Sequence, residues 1–283
     1  MQEINLDTRN SDNIWQLKKL IHNVTSCKGD SIHFSSSPQK VKSGYKKREG
    51  TLIKVNKQWS GSRMTKTADT HGRWSHISLE GYKQKKLHIF SIYRVCDDSL
   101  ERADEHTVWF QEYHSLLASG IPNPNPCQLL LDDLESRIQS LLRDVNNQII
   151  VCIDANESLY HRHNNKLQQF LCHTGLIDIH HHCHPHLPET ATHSNGSYQI
   201  DYTFVSPGVL RTPGVLPSVQ GSSILPINYA MISDHRTLFL DLDVQQLLEG
   251  IWKHKQTAPT RTLQLNNINV TTRYISKLRE YFH

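Results

Sequence analysis

The chain has 283 residues, with 31 Lys and Arg against 27 Asp and Glu and a net charge of +4. This length holds one large domain or two small ones, and the composition is not that of a disordered chain. There is neither a ~20-residue apolar run nor an N-terminal secretion pattern, and six cysteines without paired spacing are typical of reduced thiols, so we expect an intracellular protein of cytosol or nucleus with no membrane partner.

The predicted elements alternate between helix and strand. Helical spacing predicts a helix at 13–26, and strands are predicted at 31–34, 51–55, 74–79 and 87–93. Helices at 100–119, 129–145 and 166–173 surround an unbroken apolar run, Ile149–Ile153, which is typical of a buried strand. Two more strands are predicted at 198–206 and 236–243. Because the pair at 74–93 looks antiparallel, the pattern predicts a layered α/β (α+β) sandwich.

The composition changes after Val244. A short helix to Trp252, a linker at 256–261 and an amphipathic helix at 270–282 follow. We therefore expect one domain over 1–243, followed by a linker and helical tail over 244–283.

Positive charge is concentrated near the N-terminus. Residues 39–66 contain nine basic residues and one acid, Glu49, and the run Lys46-Lys47-Arg48 lies at their centre. Such a stretch is either a set of solvated turns and edge strands or a face that meets phosphate.

The central predicted strand ends in polar residues. Asp154 and Asn156 follow Ile153, and a period of two places them on the same side. An isolated Asp-x-Asn is also a common turn, so its meaning depends on the motifs around it.

Three further short motifs accompany Asp154-Ala-Asn156. They are Gln2-Glu3, Ile200-Asp201-Tyr202 and Ser233-Asp234-His235-Arg236. In this order and at these separations, over about residues 2–243, they closely resemble the endonuclease/exonuclease/phosphatase superfamily. Gly72-Arg73-Trp74-Ser75, Tyr93-Arg94-Val95 and Thr192-His193 make the chain most similar to the endonuclease domains of non-LTR retrotransposons.

The resemblance implies a deoxyribonuclease-like fold, a four-layered α/β sandwich with two packed, mostly antiparallel sheets. It implies a Mg²⁺-dependent phosphodiesterase, with Mn²⁺ as an alternative ion, that nicks DNA for a retroelement whose intact product carries a reverse transcriptase region. The tail also resembles the connector that follows such domains.

The family pattern assigns roles to individual residues of this chain. Asp154 would position or deprotonate the attacking water, Asn156 would hold a phosphate oxygen, and Asp201 would orient His235. His235 would contact the phosphate or act as acid and base, and Tyr93 would donate to the phosphate. Glu3 is the expected metal ligand with Asp234 as a second candidate, and the expected substrate contacts are Arg94, Lys46, Lys47, Arg48 and Arg73.

The chain departs from the family at its start. Family members carry an asparagine on a strand upstream of the glutamate, whereas Glu3 is here the third residue, so we expect this first strand to be missing. The alternatives are therefore a catalytically inactive remnant, or a phosphatase of the same fold. Tyr198-Gln-Ile-Asp201 argues against inositol-lipid phosphatases, which carry Trp-Cys-Asp-Arg there, and RNA cleavage stays open.

A histidine-rich stretch, His180-His-His-Cys-His184 with His186, invites a zinc interpretation. Adjacent residues cannot all face one ion, and no Cys-x-x-Cys accompanies them. The sequence favours a solvated loop here.

Overall fold

A computed structural model describes residues 31–35, 50–56, 59, 63–161, 165–210, 218–229, 233–250, 272 and 276. The chain divides into two compact units, residues 1–252 and 253–283, and every element named below lies in the first. The predicted helix at 13–26 and most of the predicted tail helix lie outside the described residues. The domain boundary at residue 243 stays a prediction.

Five strands come first along the described chain, and strands and helices are interleaved after them. The strands are β1 (Ser31–Ser35), β2 (Thr51–Val55), β3 (Met64–Ala68), β4 (Trp74–Glu80), β5 (Lys86–Tyr93), β6 (Asn147–Asp154), β7 (Ile177–Asp178), β8 (Asp201–Val205), β9 (Val219–Ile224) and β10 (Leu238–Leu242). The helices are α1 (Val108–Ala118), α2 (Pro126–Leu142), α3 (Lys166–Thr174), α4 (Ile179–Cys183), α5 (Pro207–Leu210) and α6 (Val244–Leu247). No helix in this part of the chain is long and apolar enough to cross a membrane.

A six-stranded sheet forms the centre, in the order β3-β4-β5-β6-β8-β7. The strands β5 and β6 run parallel, and the other paired strands that the structure describes run antiparallel. Two further sheets have two strands each, β1 with β2 and β9 with β10.

One face of the large sheet is covered by helices. The apolar sides of α2 and α3 pack on alternate residues of β5, β6 and β8, and this core includes Leu134, Ile138, Phe170, Val151 and Phe204. On this face β6 and β8 are apolar under the helices, as expected for strands under a helical layer, whereas β5 also carries the buried His88.

The opposite face carries the smaller sheets. Leu87 and Ile150 pack there with Leu247 of α6 and with Leu240 of β10. The β1–β2 sheet lies on this face too, because the Thr51 hydroxyl donates to Ser75, which alternates with the helix-facing Trp74. The predicted α/β class, with packed and mostly antiparallel sheets, is confirmed.

Element ends differ from the predictions where capping decides them. The predicted helix at 100–119 begins only at Val108, because the Thr107 side chain accepts a hydrogen bond from the Phe110 amide and starts the helix there. The predicted helix at 129–145 begins three residues early, since Asn125 caps it and Pro126 suits the first helical position.

Three strands have no counterpart among the predictions, namely β3, the two-residue β7, and β9. The side chains of β3 are mostly exposed, so its sequence lacks the apolar alternation that marks a half-buried strand. The β9 sequence, Val-Gln-Gly-Ser-Ser-Ile, has low strand propensity, and it pairs because β10 lies beside it.

The predicted solvated loop at the histidines is wrong, because residues 179–183 form α4. The Asp178 carboxylate accepts hydrogen bonds from the amides of His180 and His181, and Ile179 is buried. A capped first turn with an apolar anchor is enough to make the stretch helical.

Candidate active site

Strand register brings three of the predicted site residues into one row. Tyr93, the last residue of β5, pairs with Asp154, the last residue of β6, and Asp154 pairs with Asp201, the first residue of β8. Paired residues project to the same face of a sheet, here the face opposite the helices.

The same face becomes more polar toward this row. Two residues further along the strands lies the row Ser91, Cys152 and Thr203, and beyond it the row Ile89, Ile150 and Val205. The carboxylates therefore lie at the edge of the apolar core, where burial is partial and a substrate can approach.

A second segment brings His235 to the row. The amide of Ser194 donates to the Asp234 carbonyl and the amide of Arg236 donates to the Thr192 carbonyl, each at 2.7 Å. The hydroxyl of Thr192, which is fully buried, accepts hydrogen bonds from the amides of Ile200 and Asp201. Thr192 thus connects the start of β8 to the segment that carries the histidine.

His235 contacts Asp201 directly, with 2.9 Å between Nδ1 and the carboxylate Oδ2. The hydrogen bond and charge of Asp201 raise the pKa of His235 to about 9, against the opposing effect of burial. Nδ1–H therefore donates to the carboxylate, and the imidazole carries a positive charge at neutral pH.

The pKa of Asp154 is raised, whereas the pKa of an ordinary ion-paired carboxylate is lowered. Burial, together with the negative charge of Asp201, raises the pKa of Asp154 to about 7, although the charge of His235 opposes the shift. Near neutral pH this carboxyl group is divided between its two protonation states, as suits a proton acceptor in catalysis.

The three residues Asp154, Asp201 and His235 also present atoms that could hold a metal ion, all within 4.8 Å of one another. Hard divalent cations such as Mg²⁺ prefer oxygen ligands and keep several waters, so the two carboxylates fit such an ion. Two carboxylates that share one histidine cation leave negative charge uncompensated, which a divalent cation would neutralise.

Asn156 follows the row but its amide is already engaged. Its Nδ2 donates to the Arg94 carbonyl at 2.6 Å, and its Oδ1 accepts a hydrogen bond from the Cys96 thiol. The φ of +49° is one that asparagine tolerates, and it turns the chain away after β6. The predicted contact with a phosphate oxygen stays a prediction.

The predicted substrate contact by Arg94 disagrees with its placement. Its side chain is 4% exposed, ion-paired with Glu157 at 3.0 Å and bonded to the carbonyls of Ala155 and Cys127. A buried guanidinium needs such partners, and here they fix the loop after β6 rather than a substrate.

Arg73 is likewise a buried ion-pair residue instead of the predicted substrate contact. It is bound by Asp69 at 2.8 Å, lies 3.9 Å from Glu112, and donates to Asp133 of α2. These three acids hold the pKa of Arg73 above its ordinary value against the effect of burial. Sequence could not separate this arginine from a surface one, because its acidic partners are distributed over 65 residues.

Of the two predicted metal ligands, the structure describes Asp234. Asp234 has a 58% exposed side chain and lies 3.7 Å from His193, but it is close enough to add to the raised pKa of Asp154. Glu3 lies outside the described residues, as do Lys46, Lys47 and Arg48.

His193 belongs to the quoted motif Thr192-His193, but the predictions gave it no role at the site. Its ring packs edge-on against His235, with 4.9 Å between centroids, and its Nδ1 accepts a hydrogen bond from the Asn195 amide. The available signal was its position, directly after Thr192 and shortly before Asp201.

No protein-family model matches this chain, and no curated protein sequence matches it. The fold is similar to several solved structures. The human Nocturnin catalytic domain with bound sulfate is 14% identical with a TM-score of 0.45, over 77% of this chain and 75% of that one. A mannosyl-6-phosphatase of Bacteroides thetaiotaomicron is 14% identical with a TM-score of 0.46, over 81% of each chain. An endonuclease/exonuclease/phosphatase family protein of the same bacterium is 13% identical with a TM-score of 0.42, over 81% of this chain and 76% of that one.

Proposed function

We propose that the chain is a divalent-metal-dependent phosphodiester hydrolase of the endonuclease/exonuclease/phosphatase superfamily that nicks DNA for a retroelement. The observation that carries this proposal is the Asp201–His235 pair, 2.9 Å apart, beside the buried carboxyl group of Asp154. Its three members come from three of the motifs on which the resemblance rests.

Phosphodiester hydrolysis needs a proton acceptor for water and a positive charge at the phosphate. The oxygen of water attacks phosphorus, its proton passes to Asp154, and the bond from phosphorus to the leaving oxygen breaks. Protonated His235, whose Nδ1 lies 2.9 Å from Asp201, would neutralise the phosphate and give its proton to the leaving oxygen. Asp201 holds the ring in the orientation for both.

A divalent cation is part of the proposal. The carboxylates of Asp154 and Asp201 would hold it, together with Glu3 and Asp234 if the family pattern applies, and it would supply charge neutralisation at the phosphate. DNA as substrate is supported by the family resemblance and by the basic run Lys46-Lys47-Arg48.

The test is nicking of supercoiled plasmid with Mg²⁺ or with EDTA. We expect nicks only with the cation, and a rate at least ~10²-fold lower for Asp154→Asn and for His235→Ala. Extension of the nicks by a DNA polymerase would show the 3′-hydroxyl end that a retroelement requires.

Matched controls lie on the helical face of the sheet. Asp132→Asn on α2 and His173→Ala on α3 change the same residue types at exposed positions away from the row, so they should keep the wild-type rate. Folded wild-type protein that does not nick would contradict the proposal. Metal-dependent release of phosphate from a monoester, without nicking of DNA, would support a metal-dependent hydrolase and would contradict DNA as its substrate.

A further inference from the structure

The histidine-rich stretch forms a helix that separates its histidines by direction. The amide of His184, the residue that follows α4, donates to the carbonyl of His180 at 2.9 Å, so these two residues lie one turn apart. His181 packs against Tyr160, with 5.0 Å between ring centroids, and His182 is exposed. The objection that adjacent histidines cannot share an ion does not apply to the pair His180 and His184.

The spacing of the two rings suits a shared metal ion. Their centroids are 5.0 Å apart, with 52° between ring planes. A tetrahedral zinc ion bound to two imidazoles at ~2.05 Å places the ring centroids about 5 Å apart. The spacing of the two ring centroids is therefore compatible with two imidazoles bound to one zinc ion.

The nitrogen atoms of both rings are in suitable states. The Nε2 of His184 lies 2.7 Å from the Ser222 carbonyl of β9, so this nitrogen carries the proton and Nδ1 keeps its lone pair. Metal-bound histidines usually donate their second N–H to a carbonyl or carboxylate in this way. The Nδ1 of His180 is buried and has no hydrogen-bond partner among the residues that the structure describes, a costly state that a bound ion would relieve.

We infer that His180 and His184 form a zinc-binding site, separate from the Asp154–Asp201–His235 cluster. Water completes the coordination, and a surface pocket that His184 lines with Cys183 and Ser222 adjoins the pair on the His184 side. Because Ser222 belongs to β9, zinc bound by His180 and His184 strengthens the contact between α4 and the β9–β10 sheet.

The experiment measures zinc binding by the metal-free protein in competition with a chromophoric chelator. To keep the proposed active site from contributing, it uses the Asp154→Asn, His235→Ala double variant. One equivalent of Zn²⁺ should bind, and His180→Ala or His184→Gln in this background should weaken that equivalent at least ~10-fold. His182→Ala and His186→Ala should retain it.

Thermal unfolding is the second measurement. At saturating Zn²⁺ the midpoint of the Asp154→Asn, His235→Ala variant should rise by about 5 °C, and it should not rise when His180→Ala is added to that background. A thermal unfolding transition recorded with EDTA shows whether each variant is folded. If His180→Ala does not fold, His184→Gln takes its place in the comparison. Equal zinc affinity in the His180 and His182 variants, or no zinc bound at all, would overturn the site whatever the nicking assay shows.

Discussion

At the scale of single residues, the candidate active site contains a histidine and an aspartate whose pKa values are both raised. Asp201 lies 2.9 Å from His235 and raises the pKa of the imidazole to about 9, while burial beside the same Asp201 raises that of Asp154 to about 7. One carboxylate thus prepares both an acid and a base. Removing the charge of Asp201 should therefore change the pKa values of both His235 and Asp154.

Asp201→Asn tests this coupling directly. In metal-free protein the pKa of His235 should fall from about 9 toward ~6.5, since the asparagine offers no negative charge to the imidazolium. The pKa of Asp154 should fall as well, because a neighbouring negative charge is gone. NMR titration of the His235 ring protons measures the first change, with Asp132→Asn as the control. An unaltered His235 titration would show that Asp201 does not hold the proton.

At the scale of elements, the loop after β6 is held in place by the start of α3. The Asn165 side chain accepts a hydrogen bond from the Gln168 amide at 2.7 Å, and its Nδ2 donates to the Ser158 carbonyl at 2.6 Å. One side chain therefore caps a helix and anchors the loop that begins at Asp154.

Asn165→Ala should lower the free energy of unfolding by about 1–2 kcal/mol, the upper range for a lost cap, because a loop anchor is lost with it. Urea unfolding measures the change. Asn146→Ala is the matched control, since no hydrogen bond of its side chain is found in the described part of the chain. Equal stability of the two variants would contradict the anchoring role.

Strands β4 and β5 are joined by a buried pair of histidines. His76 Nε2 lies 3.0 Å from His88 Nδ1, and the His76 ring stacks on Phe90. Burial, with a smaller effect of His88, lowers the pKa of His76 to about 3. Both rings are therefore neutral in the folded protein at neutral pH.

This pair predicts loss of stability in acid. Below pH ~6.5 the unfolded chain binds a proton at His76 and the folded chain does not, so the free energy of unfolding should fall by ~1.4 kcal/mol per pH unit down to about pH 3. His88, whose pKa is also lowered, adds to the slope. Unfolding in urea between pH 7 and pH 5 measures it, and His76→Gln should give a shallower dependence. An identical slope in the variant would rule out His76 as the titrating group.

At the scale of the whole molecule, the large sheet separates a helical face from the face that carries the site. Arg73 stabilises the helical side near the start of β4, because its guanidinium joins Asp69 to α1 through Glu112 and to α2 through Asp133. Its role is to hold three segments together, and substrate binding would require it to leave them.

Arg73→Met separates these two roles. It leaves Asp69 and Glu112 buried without their cation, so we expect a loss of about 3–5 kcal/mol in the free energy of unfolding. Arg102→Met, which removes an exposed pair with Asp98, should cost less than about 1 kcal/mol. Unchanged stability with weaker DNA binding would restore the substrate contact that the sequence predicts.

The sequence by itself determined those features that depend on neighbouring residues. The apolar run Ile149–Ile153 predicts β6 and places Asp154 at its end, because a buried strand must be apolar along its length. Helix and strand alternation likewise predicts the α/β class. Polar strands such as β9 were missed, since their pairing comes from a partner and not from their own propensity.

Tertiary structure alone decided which distant residues meet and which charges are buried. Asp201 and His235 are 34 residues apart, and only the register of β8 and the bonds around Thr192 bring them into contact. The sequence around an arginine does not show whether its side chain faces water or three carboxylates, so the burial of Arg73 was not predictable. The physical reason is that local composition sets the period of each element, whereas burial and charge pairing depend on what packs against it.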